Sequence, residues 1–351
     1  MPIDLYVLPF GLIQTYWGMS ASAVPSHSDI IKARETPRGS LFLLLLKRPW
    51  RSKQRIICIH WATELYGSRY ALKSVLLLAV NGASLFLLKH LCACTVVHVV
   101  HNSYSHDYPH PRIDRLGQRL LLALADALVA QQKETEQRLV ATYPHKRVVY
   151  IPHANFVGAY GAPLVRTHGL RARFGFTPSD IVLLSFGSVR PYKKIERFID
   201  ALAAQGAARD SRIKLWIVGK GDKAYIEDLK KRAKSFDWVR IDEGFVKDAE
   251  LPAYFAAADY ALFYFDDSEL TSGSLILALS YGLPVITRAI AGAEQVRPGI
   301  NGYLFTNDNE LAHILASLPP APPQTQVIAS LQGTDYPSVE RRYYELYTSL
   351  I

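Results

Sequence analysis

The sequence predicts an α/β protein built from two domains, each on a doubly wound parallel sheet. Three observations carry this. Short β-branched apolar stretches recur along the chain and alternate with helical periodicity, the mark of strands covered on both faces by helices. The polar and glycine residues collect just after those stretches, where parallel sheets bind ligands. At 351 residues, 49% of them hydrophobic and 20% charged, the chain is long enough for two separate cores.

The N-terminal part is greasy. LFLLLL at residues 41–46 is followed at once by Lys47, Arg48, Pro49, Trp50, Arg51, Lys53 and Arg55. A second apolar run, 74–88, is preceded by Arg69 and Lys73 and followed by Lys89 and His90. Neither uninterrupted run reaches the roughly 18–20 residues that span a bilayer. Each reads as a buried element of an α/β core or as the apolar part of a monotopic, surface-bound protein, and the basic flanks favour membrane contact.

Residues 55–59 and Thr95–Val100 read as parallel strands, ending at His60 and His101. Helical periodicity runs from Arg112, gives way to a strand-like Ala127–Ala130, and returns over 133–143. A strand over 148–151 ends at Pro152 and His153. The loop 154–167, rich in glycine, alanine and aromatic residues, is the expected domain junction.

Beyond it, strands at Ile181–Phe186, 214–218, 239–241, 260–264 and 284–287 alternate with helices at 195–203, Lys223–Ala233, 250–257 and 274–281. Residues 318–326, with four prolines, read as a linker. Residues 339–350 read as a closing helix that packs back on the first domain. The expected division is 1–160 for an acceptor- and membrane-binding domain, 161–330 for a donor domain and 331–351 for the closing helix.

A net charge of +9 implies an acidic partner. Nucleic acid is not expected, because zinc-finger spacing, an RNA-recognition signature and a long basic helix are all missing. An anionic membrane surface and phosphorylated substrates remain. Cys58, Cys92 and Cys94 lie in or beside apolar runs and form neither a disulfide framework nor a zinc spacing, which fits a reducing cytosol. No secretory signal is recognisable at the start.

The chemistry concentrates in two segments, FGSVRPYKK at 186–194 and TSGSLILALSYGLPV at 271–285. Each has the form strand, small-residue turn, helix start. The first places Arg190, Lys193 and Lys194 at the turn; the second places Ser272, Gly273 and Ser274 where backbone N–H groups open a helix. Basic side chains and a helix N-terminus together suit a diphosphate. Gly219 and Gly221 follow strand 214–218, a weak signal that reads more readily as a turn. A second cluster, VHNSYSHDYPHP at 100–111, holds His101, His106 and Asp107. Asp107 or His106 suits a general base that takes a proton from a hydroxyl. His60, Trp61, His101 and His153 line the same strand ends, with capping of those ends an equally open role. No metal site is expected.

FGSVRPYKK, IVGKG, GFV, AAADYALF and TSGSLILALSYGLPVITR…GINGYLF stand in the order found in the donor domain of bacterial glycosyltransferases with the two-Rossmann-domain GT-B fold, which the chain therefore resembles from roughly Arg55 to Phe305. IHW at 59–61, HNSYSHD at 101–107 and IPHANF at 151–156 are similar to a narrower, family-4-like group that assembles lipid-linked exopolysaccharide units, nearest to the xanthan-type β-mannosyltransferases. The resemblance implies two Rossmann-like domains with parallel sheets facing across a cleft. It implies transfer of mannose from GDP-mannose, with inversion, to a polyprenyl-diphosphate-linked oligosaccharide, with no cofactor beyond the nucleotide-sugar co-substrate. It places the enzyme at the cytoplasmic face of the bacterial inner membrane. Arg190, Lys193 and Lys194 would hold the donor diphosphate, helped by the N–H groups of Ser272–Ser274. Glu269 falls at the first position of the family's paired glutamates, near the donor sugar. The second, which holds the ribose, falls at Leu277, a departure from the pattern. A second departure is the missing glycine loop within residues 1–28. A sugar-nucleotide epimerase on the same fold and a catalytically silent nucleotide-binding scaffold are the rival readings.

Overall fold

A computed structural model of the chain describes residues 3–8, 30–34, 41–46, 54–101, 108–165, 168–206, 210–266 and 272–351. The expectations for His106, Asp107, Glu269 and the basic run at 47–53 lie outside the described residues. The chain divides into two compact units, Met1–Ala154 with Gly333–Ile351, and Asn155–Gln332.

The first unit holds strands β1 (Ile3–Leu8), β2 (Ile31–Arg34), β3 (Gln54–Ile59), β4 (Thr95–Val100), β5 (Ala127–Ala130) and β6 (Arg147–Tyr150). They form one sheet in the order β2-β1-β3-β4-β5-β6, with every pairing parallel. Isoleucine and valine fill its middle: Ile56, Ile57, Val96, Val97, Val99 and Val129 are all buried. Two strands went unread in the sequence. Asp4, itself buried, breaks the apolar run of β1, and β2 is a four-residue edge strand, IKAR, with two basic residues. Charged edge strands block unwanted pairing, and for the same reason they lack a strand's apolar signature.

Helices α1 (Leu41–Leu46), α2 (Ala71–His90), α3 (Pro111–Leu124) and α4 (Lys133–Thr142) belong to this unit. Asn81 of α2 is buried and bonds on both sides: its amide donates to the Leu65 carbonyl at 2.8 Å, and its carbonyl oxygen accepts from Leu41 N–H at 3.1 Å. It thereby ties α2 to α1 and to the turn at Ala62–Leu65. Tyr66 donates to Asp114 of α3 at 2.6 Å and lies over Gly117, where a Cβ would sit only 2.1 Å from the ring.

The second unit holds β7 (Ile181–Phe186), β8 (Ile213–Gly219), β9 (Val239–Glu243), β10 (Tyr260–Phe263), β11 (Val285–Arg288) and β12 (Gly302–Phe305). Their order is β12-β11-β10-β7-β8-β9, again all parallel. The chain adds β8 and β9 to one side of β7, then crosses to add β10, β11 and β12 to the other. The topological switch point lies between β7 and β10, where the loops leaving the two strands diverge and ligands settle.

Its helices are α5 (His168–Arg173), α6 (Glu196–Ala204), α7 (Lys223–Ala233), α8 (Leu251–Ala257), α9 (Gly273–Ser280), α10 (Asp308–Ala316) and α11 (Gln324–Ala329). The segment expected as a linker over 318–326 is instead a strap fastened to this unit, and its end is helical. Tyr260 donates to the Pro319 carbonyl at 2.8 Å, Gln324 donates to the Tyr281 carbonyl at 2.9 Å, and Val327 is buried. The prolines stiffen an extended run that ends at Pro323, the residue before α11, so they mark order where the sequence suggested flexibility.

The chain ends in α12 (Tyr336–Ser349), opened by Asp335, whose carboxylate accepts from Ser338 N–H at 3.0 Å. Val339, Tyr343, Leu346 and Tyr347 recur at helical spacing and pack on Ile3, Leu5, Val97 and Val129 of the first sheet.

Candidate active site

The turn after β7 is built around Gly187, whose φ of +110° is strained for any side-chain-bearing residue. Space gives a second reason for glycine. A Cβ here would lie 2.6 Å from Ser274 Oγ and 3.2 Å from Lys193 Nζ. The missing side chain therefore marks the spot on which a serine hydroxyl and a lysine head group converge. Lys193 is buried, held by a single helical turn, Pro191–Lys193, that Arg190 opens and Lys194 closes in a left-handed conformation.

Ser274 stands in the first turn of α9, which leaves the loop after β10. Ser272 caps that helix, its hydroxyl accepting from Leu275 N–H at 3.3 Å, and Gly273 is the first helical residue. The first N–H groups of a helix have no partner within the helix and point along the positive end of its dipole. Lysine, serine and helix N–H groups are all donors, gathered at the switch point of the sheet. An anion with several oxygens fits such a set.

Gly219 serves this site through the backbone. A Cβ there would fall 1.7 Å from the Gly187 carbonyl oxygen, so the two loops approach as closely as they do only because residue 219 has none. Leu277, at the expected ribose position, is buried in α9.

The first unit gathers a different set. At or near the carboxyl ends of β3, β4, β5 and β6 stand His60, His98, His101, Gln131 and His153; His98 and His153 depress the titration of His60, and all three depress that of His101. His60 Nδ1 and His101 Nε2 are 2.9 Å apart, Gln131 bonds His101, and Trp61 stacks on His101 with ring centroids 4.8 Å apart and planes tilted by 13°. Burial holds all four imidazoles below their ordinary titration range, reinforced for His60 and His101 by the neighbouring rings; His60 falls to about 3 and His98 to about 4. They are neutral at physiological pH. The His98 Nδ1 proton goes to the Ile59 carbonyl at 2.9 Å and that of His153 Nδ1 to the Ala154 carbonyl at 2.7 Å, because a carbonyl can only accept. Buried His60 Nε2, His98 Nε2 and Gln131 Oε1 have no hydrogen-bond partner among the described residues. Neutral imidazole nitrogens and an amide oxygen suit hydroxyl groups. Among the described residues, no three His, Cys, Asp or Glu side chains are grouped so as to hold a metal ion.

The structure thus brings Lys193, Ser274, Gly273 and Ser272 together in one unit, beside the turn of Arg190 and Lys194, and His60, Trp61, His101 and His153 together in the other. His98 and Gln131 escaped the sequence reading. Gln131 follows β5 as His60 follows β3, a signal that was available. His98 sits inside TVVHVV, where a lone polar residue in a buried strand was the sign.

Residues 180–318 match the family model for glycosyl transferases group 1. A D-inositol 3-phosphate glycosyltransferase from Geodermatophilus obscurus is 28% identical over 212 residues, which is 56% of this chain and 46% of that protein, so the match spans less than half of the curated relative. Anabaena HepE in complex with UDP and glucose superposes with a TM-score of 0.72 at 17% identity, covering 99% of this chain and all of that one. Sucrose-phosphate synthase from Thermosynechococcus elongatus superposes with a TM-score of 0.69 at 16% identity, covering 100% of this chain and 99% of the other. These likenesses establish the fold as GT-B, two Rossmann-like domains each on a six-stranded parallel sheet.

Proposed function

We propose that this chain is a glycosyltransferase whose second unit binds the diphosphate of a nucleotide sugar. The observation that carries the reading is the convergence of Lys193 Nζ and Ser274 Oγ over Gly187, beside the N-terminus of α9, inside the segment that matches the group 1 family. Breaking a sugar–phosphate bond leaves extra negative charge on the departing nucleoside diphosphate. Fixed donors at that place stabilise the charge as it develops, which lowers the barrier and leaves ground-state binding less affected. Arg190, at the head of the same turn, adds a guanidinium suited to phosphate oxygens.

The neutral histidine row of the first unit supplies acceptor recognition. Its open nitrogens bond sugar hydroxyls, His98 Nε2 as acceptor, and the Trp61 ring offers an apolar face of the kind that pairs with a sugar ring. Asp107 or His106 is the proposed base toward the attacking hydroxyl. Mannose transfer from GDP-mannose to a polyprenyl-diphosphate-linked oligosaccharide, at the cytoplasmic face of an inner membrane, is the specific reaction supported by the IHW, HNSYSHD and IPHANF segments. A UDP-sugar donor is the second reading, favoured by the likeness to HepE, solved with UDP-glucose.

The test incubates the full chain with radiolabelled GDP-mannose or UDP-glucose and membranes that carry lipid-linked oligosaccharide. Label entering the organic phase supports the reading, and the donor that supplies it identifies the nucleotide. A changed sugar in the recovered donor, or label in neither fraction, overturns transfer in favour of epimerisation or of a silent nucleotide-binding subunit.

A further inference from the structure

Helix α2 is the only described helix long and apolar enough to cross a membrane by length and composition. Its two faces differ. Ser74, Leu78, Asn81, Gly82, Leu85 and Leu88 are buried in the first unit, and Asn81 holds α1 and the preceding turn by the two hydrogen bonds described above. The opposite face, at the same helical spacing, exposes Leu72, Val75, Leu76, Val80, Phe86 and Leu87, with Leu72 at 84% and Leu76 at 63%. A spanning helix meets lipid around its whole circumference unless other spans cover it. This one is covered on one side by its own domain's core, so it cannot be pulled across a bilayer without unfolding that core.

The surroundings of the apolar stripe are basic. Arg69 and Lys73 flank the start of α2. Its neighbour α3, whose Leu120 lies against Gly82, exposes Arg112, Arg115 and Arg119 on one face around an exposed Leu116. Over residues 65–101 and 108–124 the sole acidic side chain is Asp114, which is buried and bonded to Tyr66. An apolar stripe about 30 Å long, framed by arginine and lysine, with the half-exposed carboxylate at its far end, Asp126, neutralised by Lys89, complements an anionic lipid surface.

We propose that the α2–α3 face docks this protein on an anionic bilayer, with α2 lying in the plane of the interface and not crossing it. Leu72, Val75, Leu76, Val80, Phe86 and Leu87 enter the acyl boundary while the α3 arginines meet lipid phosphates. This proposal does not rest on the transferase reading, since docking is measured without any sugar donor.

Two experiments decide it. In the first, the full chain is sedimented with vesicles of phosphatidylcholine alone or mixed with phosphatidylglycerol, alongside Leu76→Glu/Val80→Glu and Arg115→Gln/Arg119→Gln variants. The parent should bind the anionic vesicles and release in high salt, the first variant should bind roughly tenfold or more weakly, and the second should lose its preference for phosphatidylglycerol. All should keep the parent's melting temperature, because the altered side chains are exposed. Failure of the parent to bind, or binding of Leu76→Glu/Val80→Glu equal to the parent's, overturns the proposal. So does a dimer in lipid-free solution that this variant alone converts to monomer, which would make a second copy the occupant of the face.

In the second, spin labels on Leu72→Cys, Leu76→Cys, Val80→Cys and Leu87→Cys in a Cys92→Ser background report depth in the bilayer. Cys58 and Cys94 are buried, their thiols pushed up to about 12 by burial, and should not label. One shallow depth at all four positions supports the in-plane helix. A depth that rises and falls along the series shows a span and overturns it.

Discussion

The carboxyl edges of the two sheets make an instructive pair. Both crown six parallel strands, both are lined by polar side chains in turns, and both bury or half-bury those side chains. The second unit gathers donors there: Lys193, Ser274 and the opening N–H groups of α9, with Arg190 on the same turn. The first gathers imidazoles that burial keeps neutral, with ring nitrogens left without a partner among the described residues at His60 and His98, the His98 one an acceptor. Two six-stranded parallel sheets thus gather hydrogen-bond donors at one carboxyl edge and neutral imidazoles at the other. The residue types in the turns decide which, together with the helix that one of them opens.

The largest expected effect comes from removing the head group that defines the anion edge. Lys193→Ala should lower kcat on the order of 10²- to 10³-fold, as loss of a preorganised donor to a developing charge does. Its KM for acceptor should barely move. Steady-state kinetics check this, and an equal fall for a histidine variant with Lys193→Ala silent would reverse the roles of the two edges.

Gly187→Ala places a methyl group where Lys193 and Ser274 meet and forces a side-chain-bearing residue to φ +110°. It should destabilise the second unit by roughly 1–3 kcal/mol and weaken nucleotide binding. Urea unfolding followed by Trp216 and Trp238 fluorescence, with and without nucleoside diphosphate, separates the two losses.

At the other edge the sign of the pH dependence follows from neutrality. An unfolded histidine titrates near 6.5, whereas native His60 and His98 resist protonation until about 3 and about 4. The unfolded chain therefore binds protons that the native state refuses, and stability is complete above 6.5 and falls as pH drops toward 4. Near pH 5 each buried histidine should cost about 2 kcal/mol. Urea midpoints across that range, repeated on His98→Asn, should show a shallower fall for the variant. An unchanged slope would mean that these imidazoles already carry charge.

The smallest effect belongs to Trp61. Trp61→Ala should weaken acceptor binding by about 1 kcal/mol and leave the KM for donor unchanged. A change in donor KM instead would blur the distinction between the two edges.

Much of this was legible beforehand. Strands β3, β4, β7 and β8 announced themselves by continuous β-branched runs, and the turns after them by His60, His101, Arg190, Lys193 and the glycines. Strands β1 and β2 did not, because Asp4 and the basic residues of IKAR erase the apolar pattern, and it is pairing with β3 that makes β1 a strand. The prolines of 318–323 suggested freedom, whereas the hydrogen bonds of Tyr260 and Gln324 fasten that segment. Within the site, sequence named residue types but not their state. That four histidines are neutral depends on burial, which no spacing reveals, and His98 faces the cluster from inside a strand. The asymmetry of α2 was equally hidden: its composition is mostly apolar on both faces, and only packing shows which half of it is covered.

The most direct measurement is calorimetric titration of the full chain with UDP and with GDP, comparing the parent with Lys193→Ala and with His60→Gln. One of the two nucleotides should bind the parent, bind His60→Gln with similar affinity, and bind Lys193→Ala at least tenfold more weakly. Equal binding to the parent and Lys193→Ala, with loss in His60→Gln, would contradict the assignment of the anion site to the second unit.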